Sequence, residues 1–552
     1  MKNRIVLFFL LLNLILCSVF ANQKTYDYND IEYKLAKYIL QVSDLNGPYD
    51  TTPISASKLS QDLARINNVT LPTVVKNLYD DLCVSINNYP SLYKSETMQL
   101  NLDVLIQPEI YLKVGDKTDR QNWYYGYSDR ASFLNLDFEF GWSEYVYGLL
   151  SLPYKIRLYN QWDDTFSQNI FVLGSSESYQ KKMPFDAGIS IGTSFMNFYL
   201  GRGQLNMGNG FTGNMFVADN FQYQDFAKLS FYDDFFSYDL TYTHFDQEHE
   251  RLGGPNQLDE NMSFDGEHQI RITHSYVFNF GDCITLAIRE GAILQTETAF
   301  DLRMINPFIF LHNWNGYDEK ALYWANNIMG LDVTASLGGG FRLNLQFVLD
   351  QFQLLNEKSS GANDFPNALG GLVNLSNVVP LADGFLENHI EIAYTSPYLY
   401  LNNIGTGNEN QDFILGYYLT YGNDLSYSGY KYGPDSIVLA LGGNYLTYNG
   451  GLDVFYTLMY RAHGEHGIKY TNEQNQKPES DLGADWSRDL KLSGTIEHTL
   501  LANVGVKYQI HKSFSISTAL TYQYKINYNN VAGDWQNLQI SIGCSFNPMN
   551  FF

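Results

Sequence analysis

The densest group of ligand-competent side chains lies in Gly201 to Asn220, G-R-G-Q-L-N-M-G-N-G-F-T-G-N-M-F-V-A-D-N. Five glycines there mark a shaped loop, because glycine tolerates φ > 0 and close backbone approach. Arg202, Asn209, Asn214, Asp219 and Asn220 give that loop the donors and acceptors a polar ligand needs. Arg202 and Asp219 are also placed to pair with each other. No Walker lysine follows, and the spacing is not a dinucleotide fingerprint, which argues against a phosphate cradle.

A second group lies between Asp301 and Asn327. Arg303, Asn306, His312, Trp314 and Trp324 sit there among further asparagines and tyrosines. Aromatic faces that stack on sugar rings, with amides that bond hydroxyls, are the usual chemistry of carbohydrate recognition. The competing reading places Phe308 to Leu311 in a barrel mouth as a plug and the tryptophans in an aromatic belt.

Other constellations are weaker. His463-Gly464-Glu465-His466 lacks the helical spacing of a zincin and reads as a solvated loop. Glu290, Asp332 and Asp350 fall in strand-like segments at a parity suited to a water-filled interior. No Ser-His-Asp set stands out. The expectation is a chain without catalytic residues and without a resident metal.

These groups need elements to carry them. Met1 to Ala21 reads as a secretory signal: Lys2 and Arg4, then an apolar run, then Val19-Phe20-Ala21 at the cleavage site. The chain of 552 residues carries a formal charge of −24, so it offers no basic footprint for nucleic acid. Three cysteines beyond the signal (Cys83, Cys283, Cys544) are too few and too scattered for a disulfide framework. The 43 tyrosines, 44 glycines and 16% aromatic content, with a mean hydropathy of −0.24, fit strands with one apolar and one polar face. That is the composition of an outer-membrane β-barrel, although large β-sandwich arrays share it.

Residues 22–95 predict three short amphipathic helices in a small periplasmic bundle. The first has Asp30 as N-cap and Ile31, Leu35, Tyr38 and Ile39 on one face. The second starts near Pro53 and carries Leu59, Leu63 and Ile66; the third starts at Pro72 and carries Val74, Leu78 and Leu82. Beyond residue 96 the period becomes two, as in Leu134, Leu136, Phe138, Phe140 and in Leu538, Ile540, Ile542, Cys544, Phe546. About 18 antiparallel strands are expected over 96–552, with short turns alternating with long loops that include 354–386. That parity requires Phe185 to Gly203 to hold two strands with a turn near Met196-Asn197. The final Phe552 after an alternating strand also fits outer-membrane assembly.

With the helices-then-barrel layout, several pieces in order carry a family likeness. They are Gly201-Arg202, Gly208-Asn209-Gly210, Thr212-Gly213, Asp219-Asn220, His268 to Arg271, Glu290, Asn306-Pro307 and Asp350 to Gln353. In these the chain resembles the Wzi capsule-assembly proteins of the bacterial outer membrane. The resemblance implies an 18-stranded barrel with a periplasmic helical bundle and a lectin-like, non-catalytic role in holding surface polysaccharide. Surface polysaccharide and outer-membrane lipid are then the expected partners of a monomer, with a diffusion channel for cations or neutral sugars as the alternative. An anionic glycan would be repelled unless Arg202, Arg271 and Arg303 converge or Ca²⁺ bridges the two, so a neutral or zwitterionic glycan is favoured.

Overall fold

The computed structural model describes residues 22–551 apart from 67–70, 89–90, 117–122, 127–128, 156–164, 171–185, 246–267, 297–298, 312–322, 353–366, 382, 405–412, 417, 422–423 and 466–489. Three helices lead: α1 (Ile31–Val42), α2 (Ala56–Ala64) and α3 (Thr73–Asn87). Their apolar faces follow the expected spacing, with three local differences, the first being that Ile31 of α1 stays exposed. Ser55, not Pro53, caps α2, its Oγ accepting from the Lys58 N–H at 3.3 Å. Val75 rather than Val74 faces the core of α3.

Eighteen antiparallel strands then close a barrel. The first, β1, is made of Met98–Ile106 and Glu109–Gly115, interrupted at Pro108. It is followed by β2 (Leu134–Trp142), β3 (Val146–Tyr154), β4 (Asp186–Gly192), β5 (Met196–Gly203) and β6 (Gln224–Tyr232). Next come β7 (Phe236–Phe245), β8 (His268–Phe280), β9 (Ile284–Thr296), β10 (Tyr323–Gly338), β11 (Phe341–Gln351) and β12 (Ala368–Leu381). The set ends with β13 (Gly384–Thr395), β14 (Ser436–Thr447), β15 (Leu452–His463), β16 (Glu497–His511), β17 (Phe514–Ile526) and β18 (Asp534–Phe546). Closure is made by β18 on β1, with Ile542 opposite Ile110 and Phe546 opposite Ile106.

Every even-to-odd connection is a short turn, and all but the last of the others are long. The two strands expected within 185–203 are present, but their turn lies at Thr193 to Phe195. The expected loop over 354–386 is corrected more heavily, since it contains β12, fourteen residues long. Its inward positions include Leu372, packed on the lumen core, and Val378, packed on the helices. Apolar residues on both faces blur the period-two signal there.

Outward positions such as Ile390, Ile392, Leu441, Leu500 and Val504 stay exposed, forming the apolar belt of a membrane-spanning barrel. No helix among the described residues is long and apolar enough to cross a membrane. The helices instead enter the short-turn end of the barrel and share a core with Val378, Phe385 and Leu446 of its wall.

Candidate functional site

The lumen is where polar side chains converge, and the chain's own segments occupy it. From the short-turn end, the helical lead is pinned by wall residues. Lys37 meets Glu387 at 3.0 Å, Tyr38 donates to Glu387 at 2.9 Å, and Gln41 donates to the Gly340 carbonyl at 3.0 Å. Arg289 on β9 reaches Asp50 at 3.0 Å and also contacts Asp332. Lys228 donates to the carbonyls of Thr51 and Pro53 at 3.1 and 2.8 Å. Each of these buried charges thus has a partner, as its desolvation demands.

From the opposite end, residues 204–223 turn inward rather than standing free. Asn206 and Met207 pair as a miniature sheet with Thr52 and Thr51 of the lead, and the Gly208 N–H donates to the Asp50 carbonyl at 3.1 Å. Gly208 sits at φ +126°, where a side chain would be strained, and its Cβ would meet the Gln346 amide at 2.4 Å. Met207, Met215, Phe216 and Phe221 form the lumen core with Tyr400 and Tyr430 of the segment that follows β13.

This placement decides what the expected binding residues do. Asn214 is buried and fully committed: its Oδ1 accepts from Gly210 N–H at 2.8 Å and Gln346 Nε2 at 2.6 Å, and its Nδ2 donates to Asn206 at 2.7 Å. Asn209 is buried too, its carbonyl accepting from Asn374 at 3.1 Å. Asn220 donates to the carbonyls of Tyr427 and Gly429 at 2.9 and 2.6 Å. These asparagines shape and fasten the inserted loop. Arg202 pairs with Asp225 by two contacts of 2.7 Å and lies 4.4 Å from the Tyr223 ring, which corrects the expected pairing with Asp219. The reason is register, since Arg202 stands directly opposite Asp225 across β5 and β6. Burial pushes the Asp219 carboxyl up, with Lys431 pulling it the other way.

The residues of the second group part company. Arg303 is exposed and forked onto Asp301 at 2.6 to 3.1 Å, while Asn306 is exposed and caps the Phe308 N–H at 3.0 Å. His312 and Trp314 lie outside the described residues, and Trp324 is described only as backbone of β10. The expected plug at Phe308 to Leu311 is corrected: this segment lies on the outer wall, not in the mouth. Arg271 points into the lumen, contacting Ser428 and donating to Gln224 at 2.6 Å. Arg202, Arg271 and Arg303 therefore do not converge. Asp332 and Asp350 face the lumen as expected, but Glu290 faces outward, one residue out of phase with the luminal Arg289. Among the described residues no three His, Cys, Asp or Glu side chains gather as a metal-binding set.

Two polar surfaces remain around the filled lumen. Two long connections bring Tyr124, Tyr125 and Tyr432 above the inserted loop, Tyr124 and Tyr432 packed on the lumen core together with Phe211 of the loop itself. Tyr124 and Tyr125 stand edge to face at 5.0 Å, and Phe211 stacks on His389 at 4.7 Å. Gln539 accepts from the Tyr124 N–H at 2.7 Å, and Arg461 sits 5.4 Å from the Tyr432 ring. Burial pushes the Tyr124 and Tyr125 hydroxyls up, so both remain donors at neutral pH. Sequence reading missed this cluster because its members are remote in the chain.

The other surface is a cavity of about 800 Å³ between the lead and β1 to β5. Seven carboxylates line it (Asp27, Asp30, Glu32, Asp103, Asp137, Glu139, Asp186) against one ammonium, Lys24. Lys24 sits 3.0 Å from Glu139, which also accepts from Asn101 at 2.8 Å and Tyr147 at 2.7 Å. Burial first, then the neighbouring Asp186 and Asp30, pushes the Asp27 carboxyl well up, and burial takes Asp30 to about 6.

Neither a protein-family model nor a curated protein matches the sequence. Solved structures do. Wzi of Escherichia coli, described as a carbohydrate-binding β-barrel involved in group 1 capsule assembly, matches with a TM-score of 0.55 at 12% identity, covering 95% of this chain and 99% of that one. The channel DcaP of Acinetobacter baumannii matches at 0.34 and 12% identity over 83% of this chain and 100% of its own. OprD of Pseudomonas aeruginosa matches at 0.38 and 11% identity over 81% and 95%. The first of these likenesses establishes the fold alone, and the other two are too distant to carry an argument. Its eighteen closed strands and apolar outer belt make the chain an outer-membrane β-barrel with its lumen occupied by its own segments.

Proposed function

We propose that this barrel binds a surface polysaccharide at its long-loop end and holds it without chemistry. The observation that carries the reading is the lumen, entered by the helical lead from one side and by residues 204–223 from the other. Such a filling suits retention of a ligand at the mouth better than bulk diffusion. Above it, Tyr124, Tyr125 and Tyr432 offer ring faces, and Asp219 and Arg461 offer hydrogen bonds to hydroxyls. The carbohydrate binding described for the Wzi barrel of similar fold points the same way. The acidic balance favours a neutral or zwitterionic glycan, with Ca²⁺ as the bridge where the glycan is anionic. Glycan should accompany the purified protein, and a deletion strain should shed glycan into the medium while synthesising as much as before. Undiminished retention on the deletion strain would overturn the proposal.

A second reading rests on the carboxylate-lined cavity, which would attract cations along the wall of β1 to β5. Planar-bilayer recording separates the two. Stable cation-selective openings of the intact barrel support conduction, and a quiet bilayer supports a binding protein.

A further inference from the structure

The outer wall of β7 to β10 differs from the rest of the belt. On β8 the odd-numbered Arg271 points into the lumen, so Ile270, Ile272, His274 and Tyr276 point out. On β9, Arg289 points in, so Glu290, Ala292 and Leu294 point out. Equivalent outward residues elsewhere, such as Ile390 and Ile392, are more than half exposed. Here Ile270, Ile272 and His274 are fully buried, as Ala292, Leu294 and Glu290 nearly are. Met304 and Leu311 cover them in a common apolar cluster.

The covering segment bonds the wall through two of its carbonyls, while the Arg303 and Asn306 side chains stay exposed. The Met304 carbonyl lies 2.9 Å from His274 Nε2, and a carbonyl can only accept, so Nε2 carries the proton. His274 Nδ1 then accepts from the Tyr238 hydroxyl at 2.7 Å. The Tyr276 hydroxyl donates to the Pro307 carbonyl. Within the segment, the N–H groups of Arg303, Met304, Asn306, Phe308 and Ile309 all find acceptors. Irregular backbone is tolerated at membrane depth where it packs against protein, and Met304 and Leu311 seat this segment on the wall. Large apolar side chains dominate the other face around Arg303 and Asn306: Phe308 is 89% exposed, Leu302 71%, Phe310 65% and Phe300 58%. Below it the wall continues into an aromatic cluster of Phe235, Phe236, Phe278 and Phe280 next to the short turns. Tyr276 is four residues above Phe280, which places the contact about 10–15 Å from that end, inside an apolar band of about 25 Å.

We propose that residues 299–311 are a membrane-embedded strap, which presents Phe300, Leu302, Phe308 and Phe310 to the acyl chains of the bilayer. It also keeps an outward polar set, Tyr238, His274, Glu290 and Asn327, away from hydrocarbon that could not solvate it. The surface is continuous with the belt, and its one exposed charge, Arg303, is matched by Asp301 two residues away. Acyl chains are thus the partner it fits.

The test uses the full-length protein in phosphatidylcholine vesicles at high lipid excess, with F308W and F310W made separately so that one misfolded variant leaves the other. The emission each substitution adds over the parent protein should fall about twofold in lipid with brominated acyl chains and stay untouched by aqueous iodide. Quenching by iodide but not by bromolipid would overturn the proposal. So would bromolipid quenching that develops only on dilution of protein in the bilayer, because the face would then belong to a second copy. Tyr276→Phe, which removes the hydroxyl held by Pro307, should raise the iodide quenching of the added tryptophan, and no change would count against the strap.

Discussion

Arg289 and Asp50 lie 239 residues apart in the chain, yet the guanidinium Nη2 is 3.0 Å from both carboxylate oxygens. The contact ties the barrel wall to the helical lead at the depth where the inserted loop meets both. Asp332, on the next strand, holds the same guanidinium. Asp50→Asn leaves the fully buried arginine one carboxylate short. We expect a loss of about 1–3 kcal/mol in unfolding stability, smaller than for an arginine stripped of both partners. Denaturant unfolding in detergent, with protease cleavage of the lead as a second readout, checks it.

Glu391 holds the inserted loop by accepting from the N–H groups of Phe211 and Thr212, at 2.5 and 2.9 Å, and from the Thr212 hydroxyl. Glu391→Ala strands two buried donors, at about 1–3 kcal/mol each. Gly210→Ala acts on the same loop by another route, since its Cβ would sit 1.9 Å from the Gly213 carbonyl oxygen. Both variants are expected to loosen residues 206–216 and to raise single-channel conductance over the parent barrel.

Asp30 supplies a pH dependence. Burial raises its carboxyl from 3.8 to about 6, so the folded chain binds this proton more tightly than the unfolded chain. Its stabilising contribution is therefore complete below pH 3.8 and is lost as pH rises through 6. Thermal unfolding should show a firmer barrel at pH 5 than at pH 7.5, and Asp30→Asn should flatten that difference. The same proton lowers the negative charge of the cavity, so cation binding should weaken on acidification.

At the long-loop end, Tyr432→Ala and Tyr124→Ala each remove a ring carried on a loop. If glycan stacks there, each should weaken binding on a glycan array by about 1–3 kcal/mol, roughly five- to 150-fold. Both rings pack on the lumen core, so unfolding midpoints should fall as well, and binding is compared on folded protein.

The local physics of the chain was enough to announce a barrel. Alternation in segments such as Leu134 to Phe140 needs only side chains pointing to opposite faces, and short turns such as Gly281-Asp282 end strands through local backbone preference. The three helices were legible for the same reason, because each buries one stripe. What the sequence left undecided was everything that depends on what fills the barrel. At β12 the lumen contents make Leu372 and Val378 apolar on the inner face, and the alternation disappears. Gly201 to Asn220 presents polar groups suited to a ligand, but tertiary structure places Asn374, Gln346 and Glu391 opposite them, so most bind the protein itself. Arg202 faces Asp225 rather than Asp219 because cross-strand register sets neighbours, not distance along a loop. Phe308 and Leu311 are apolar in either a plug or a strap; only the orientation of His274 and Tyr276 on the outer wall decides between them. Periodicity is a property of one segment, whereas closure, filling and facing are properties of contacts between segments hundreds of residues apart.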